Sequence, residues 1–180
     1  MNYARYEEWV TRSFRWIRAD KDSGLSHHIQ MLGIVDAELR GIRYPDIFNE
    51  ENIPIEDGYG ILKLERFQIN AHLWVLGAYE LVRMISQKVR ENPELASDSS
   101  ILEIQATKKL FERVRVPLAK LEASKRHEKT DFEVAFAGVG PEGLGWKINE
   151  DLIIYQEELS DRLFAMFSAL WPRVNQGSHS

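Results

Sequence analysis

The sequence predicts a mainly α protein: a helical bundle of about five helices with a small β-hairpin near residues 131–148. Three observations carry this expectation. Five stretches repeat apolar residues at the spacing of a helix. A sixth, Phe132-Glu133-Val134-Ala135-Phe136, alternates at the strand period and leads into Gly138, Gly140, Gly143 and Gly145. The chain has 180 residues, 44% hydrophobic and 11% aromatic, which suffices for one domain with a real core. That domain is expected over residues 1–176, with residues 177–180 as a disordered tail or tag remnant.

Tyr3 to Asp20 reads as an amphipathic helix. Tyr6, Trp9, Val10, Phe14 and Ile17 form its apolar stripe, and Arg5, Arg12, Arg15 and Arg18 lie largely outside it. A second helix is expected to start at Ser26 as cap and to bury Ile29, Leu32, Val35 and Leu39. Gly41 suits the left-handed position past its end. Residues 41–59 have no helical period and contain Pro45, Pro54 and Gly58. Asp46, Glu50, Glu51, Glu56 and Asp57 make this connection acidic against Arg43 alone. Ile47, Phe48, Ile53 and Ile55 predict that it packs down onto the helices.

The longest helical pattern runs from Gly60 to Asn92 and organises the rest. Leu62, Ile69, Leu73 and Leu76 fall on one stripe; Leu64, Phe67, Ala71, Trp74, Ala78, Leu81 and Ile85 fall on a second. A helix apolar on two sides is usually covered on two sides, so both stripes are expected to be buried. Arg66, Glu80 and Arg83 continue the first stripe, which places charge in line with a buried face. Glu80 and Arg83, three apart, can pair on the helix itself. Asn92-Pro93 stops the pattern. A fourth helix is predicted from Ser100 to Arg126, kinked or broken at Pro117. After the hairpin, a last helix covers about Glu150 to Trp171 and ends at Pro172; Leu152 to Tyr155 could instead prolong the hairpin as a strand.

Composition removes several function classes. There is no Cys, which excludes a disulfide scaffold, Cys-based zinc sites, iron–sulfur clusters and a Cys nucleophile, and fits a cytoplasmic protein. No apolar run is long enough to span a bilayer, and the charged, aromatic N-terminus lacks the core of a signal peptide. The five His occur in no Glu-x-x-His or His-Glu-x-x-His pattern, so no metal and no cofactor are expected. The glycines after Gly138 lack the strand-to-helix setting of a phosphate loop. A formal net charge of −5 argues against wholesale electrostatic binding of nucleic acid. Locally, however, the stretch from Gln105 to Lys129 is basic and the stretch from Thr130 to Asp161 is acidic.

Arg66-Phe67-Gln68-Ile69-Asn70-Ala71-His72 is an Arg-x5-His pattern on a helix. It resembles the short Arg…His motif of the HEPN family of helical ribonucleases. The resemblance covers these seven residues. It implies metal-independent action on RNA with two motif copies paired across a dimer, His72 as base and Arg66 steadying the phosphate. Arg66 and His72 are therefore the catalytic candidates. Asn70, Glu80, Arg83, Arg113, Lys120, Arg126 and His127 are the candidate ligand-binding residues. Two readings follow. The first is a non-enzymatic binding or regulatory protein that recognises a protein partner or itself. The alternative is a metal-independent RNA- or nucleotide-acting enzyme.

Overall fold

A computed structural model describes residues 1–17, 24–55, 60–93 and 96–174. Five helices appear in chain order: α1 (Tyr3–Ile17), α2 (Gly24–Leu39), α3 (Gly60–Glu91), α4 (Asp98–Lys120) and α5 (Gln156–Val174). Between α4 and α5 lies an antiparallel sheet of β1 (Phe136–Gly140), β2 (Gly143–Lys147) and β3 (Ile153–Tyr155), in the order β1-β2-β3. The fold is thus mainly α with a small hairpin, as the periodicity predicts. Leu152 to Tyr155 contributes the third strand rather than the first turn of α5. The predicted tail at 177–180 lies outside the described residues.

The core is one cluster of buried apolar side chains built on α3. Phe67, Ala71, Trp74, Ala78, Leu81, Ile85 and Val89 of α3 point into it. α4 answers with Ile104, Phe111 and Val114, and α5 with Leu159, Leu163, Met166 and Phe167. Leu144, Trp146 and Ile154 seal the sheet onto the helices, which gives the small sheet the apolar backing it needs. The basic fourth helix is the neighbour of α3: Trp74 and Phe111 meet at 6.0 Å, and Tyr79 Oη donates to Glu112 at 3.1 Å. Burial and the Glu112 carboxylate hold the Tyr79 phenol above its ordinary pKa.

Several local expectations are corrected. Ser26 does not cap α2; its buried hydroxyl donates to the Ser13 carbonyl at 2.8 Å, tying α2 to α1. On α1, Trp9 is fully buried, but Phe14 is 58% exposed and Arg5, expected outside, turns inward. The connection after α2 is described as far as Ile55. It contains a 3-10 turn (Tyr44–Asp46) and a bridge between Phe48 and Pro54. Ile47 is its anchor, whereas Ile53 faces water. Helix α4 runs through Pro117 and stops at Lys120, six residues short of the predicted end, because Leu121 takes a left-handed φ of 56°. Helix α5 continues past Pro172 to Val174. Proline removes one backbone bond but its own φ is helical.

The element that joins the ends of the chain is a buried carboxylate. Asp36, fully buried on α2, accepts from Trp9 Nε1 at 2.7 Å, Arg5 Nε at 3.0 Å and Gln156 Nε2 at 2.9 Å. The Arg40 guanidinium stands 3.6 Å away. Arg5 also donates to Ser160 and Asp161, and Arg40 to Asp161 and the Glu157 carbonyl, so α1, α2 and α5 share one network. The Arg5 guanidinium lies 4.4 Å from the Phe164 ring centroid, a cation–π contact that shields it from water.

Candidate functional site

The largest departure from expectation is on α3 itself. Its first stripe is not buried. Leu62 is 49% exposed, Ile69 56% and Leu73 62%, and Ile61 beside them is 61% exposed. The neighbouring helices and the sheet cover the second stripe only, so two-sided apolarity here means one core face and one bare face. Arg66, Glu80 and Arg83 consequently sit in water, and no charge is buried on α3 by this stripe. At 100° per residue, Leu62, Arg66, Ile69, Leu73, Leu76 and Glu80 fall within an arc of about 80°. They form one outward seam along the helix.

On one flank of the seam the Tyr44–Asp46 turn leaves a pocket of about 280 Å³ against α3. Ile42, Asp46 and Ile47 line it from the connection, and Lys63, Arg66, Phe67 and Asn70 line it from α3. A hydrogen bond from the Arg43 backbone N–H holds the Asp46 carboxyl below its ordinary pKa, so the pocket carries both signs of charge at neutral pH. On the other flank, His72 packs edge-on against Trp146 of β2, with ring centroids 6.0 Å apart. Its Nδ1 donates to the Gln68 carbonyl at 2.7 Å, which leaves Nε2 as the ring atom without that bond.

Arg66 and His72 therefore have different neighbours. Six residues at 100° each leave them about 120° apart around the helix. The structure brings Arg66 and Asn70 together at the pocket, as their shared face predicts. Glu80 and Arg83 form the expected pair at 2.6 Å, farther along the outer face. The remaining candidates do not converge with these. Lys120 pairs with Glu122 at 3.2 Å, and Arg126 is exposed in the turns after α4. His127 is half-buried, its carbonyl accepting from the backbone of Thr130 and Asp131.

Arg113 is bound internally. It forms a two-pronged pair with Asp131, at 2.6 and 2.7 Å, and Thr130 and Asn149 donate to the same carboxylate. This knot fastens the loop before the sheet to α4. Burial alone pushes the Asp131 carboxyl up, but the bonds from Arg113, Asn149 and Thr130 outweigh it and hold the pKa below the ordinary 3.8. A depressed folded pKa supplies stability above the unfolded value and loses it as pH falls through the folded one. Asp131→Asn should therefore cost about 2–3 kcal/mol at neutral pH. The gap to the native protein should close as the pH is taken below 3.8, measured by urea unfolding across pH.

Among the described residues no three His, Asp or Glu are arranged to hold a metal ion, and no helix is long and apolar enough to cross a membrane. No family model, curated protein or solved structure matches the chain.

Proposed function

We propose that this protein is a recognition module rather than a catalyst, and that its outward seam on α3 pairs with a second copy of the chain. The observation that carries the proposal is the exposed run Leu62, Ile69 and Leu73 on the longest helix. A row of exposed apolar side chains on the longest helix is a surface on which another chain can sit. The charges on the seam select the partner. Arg66 and Glu80 lie seven residues to either side of Leu73. A two-fold, antiparallel crossing at Leu73 sets Leu73 against Leu73 and each Arg66 opposite Glu80 of the second copy. Such a self-complementary contact closes as a dimer. The Glu80–Arg83 pair within one chain is half-exposed and weak enough to yield to it. The alternative, a metal-independent ribonuclease, would need Arg66 and His72 brought to one phosphate across such a dimer, since within one chain they stand about 120° apart around α3.

Sedimentation equilibrium tests this. The native chain should dimerise, and Leu73→Glu should weaken the dimer by about 2–4 kcal/mol, roughly 30- to 1000-fold in Kd. Helicity should be kept, because Leu73 contributes nothing to the core. Arg66→Glu alone should also weaken association, and Arg66→Glu with Glu80→Arg should restore it. A native chain that stays monomeric at high micromolar concentration overturns the proposal. So does a Leu73→Glu variant that dimerises like the native chain.

A further inference from the structure

We propose that the outer face of the sheet is a binding site for a planar aromatic ring bearing an acidic group. It is independent of the seam on α3. The register places two rows on this face. Phe136, Lys147 and Ile153 stand side by side across the three strands, and beside them run Gly138, Gly145 and Tyr155. Gly140 and Gly143 extend the second row to the turn. The outcome is a trough of about 240 Å³ with a glycine floor and tall walls.

Two of these glycines are explained by the fold. Gly143 has φ +97° at the hairpin turn, where a side chain is strained. A Cβ on Gly145 would meet Ile153 Cγ2 at 2.7 Å and the Tyr155 ring at 2.9 Å, so the tyrosine lies over it. Gly138 and Gly140 are not explained this way. A Cβ on either would meet nothing within 4 Å, and neither has a positive φ. Glycine weakens a strand, and beyond bulges and tight bends one use of it is to leave room for a ligand or another backbone to approach closely.

The walls state the chemistry. Phe136 is 64% exposed and Ile153 45%, and with the Tyr155 ring they form apolar sides around flat peptide planes. A cavity of about 150 Å³ already takes benzene, so this one has room for a fused bicycle. Lys147 is the cation among the lining residues. It is paired at 2.9 Å with Glu150, an exposed carboxylate that a ligand acid can replace. Tyr155 Oη donates to Glu142, and that carboxylate raises the phenol pKa, so the wall stays neutral.

The test is a titration of the 15N-labelled full chain with 2-naphthoate, followed by amide shifts. Saturable shifts should centre on Gly138, Gly140 and Gly143. Gly138→Val, which fills open space and suits a strand, should keep or raise the melting temperature and weaken binding at least tenfold. Lys147→Met should weaken 2-naphthoate several-fold and leave naphthalene-2-carboxamide unchanged. Shifts that fail to saturate, or that map to α3, overturn the proposal, as does a folded Gly138→Val variant that binds like the native chain.

Discussion

Asp36→Ala should lower stability by about 3–5 kcal/mol, because it leaves two guanidinium groups facing an empty, buried position. Arg5 is 10% exposed and Arg40 13%, so neither can turn fully to water without leaving its helix interface. Trp9 Nε1 and Gln156 Nε2 lose their acceptor in the same step. A domain of this size shifts its melting temperature by about 2–4 °C per kcal/mol, so a drop of about 6–20 °C is expected by calorimetry. Asp36→Asn keeps the shape and removes only the charge, and should fall almost as far. Asp36→Leu combined with Arg5→Met replaces the ion pair by apolar volume and should recover part of the loss. If Asp36→Ala costs less than about 1 kcal/mol, the carboxylate is not what holds α1, α2 and α5 together.

Gly33→Val should be nearly as severe, at about 3 kcal/mol or more. Gly33 is buried on α2 where α1 crosses. A Cβ there would stand 2.3 Å from Trp9 Cβ and 2.5 Å from Trp9 Cγ. Those atoms are the root of a side chain, so no rotamer change clears them. Helix propensity pulls the other way, since replacing a mid-helix glycine by alanine gains about 1 kcal/mol. The overlap wins even for Gly33→Ala, because relieving it means parting α1 from α2 and drawing Trp9 off Asp36. Denaturant unfolding should show Gly33→Ala destabilised and Gly33→Val more so. A stabilised Gly33→Ala would mean that the two helices slide apart freely.

The helices were legible because each carries a periodic apolar face. What the period cannot say is which of two apolar faces on one helix is covered. On α3 both stripes satisfy it, and only α2, α4 and the sheet decide. The signal was nevertheless present: Arg66, Glu80 and Arg83 recur on the first stripe and not on the second. Charge repeated along one face marks the wet side more cheaply than a buried network does. The Asp36 network was hidden for the opposite reason. A single acid next to Val35 and two residues before Glu38 looks like ordinary helix surface. Its partners Arg5 and Gln156 lie 31 and 120 residues away, beyond any local pattern. Periodicity leaves the third strand as an option only, since three residues are too few for alternation to separate strand from helix. The candidate basic residues scattered because each has its own partner: Lys120 pairs locally with Glu122 on the surface, and Arg113 is drawn inward to the buried Asp131.

The bond from Arg5 to Ser160 spans 155 residues. Asp36 and Arg5 meet within the α1–α2 pair, whereas Gln156 and Ser160 belong to α5. Phe164 and Phe167 of α5 cover the Trp9 ring. A pair of α1 and α2 formed without α5 therefore leaves an apolar surface open at Trp9.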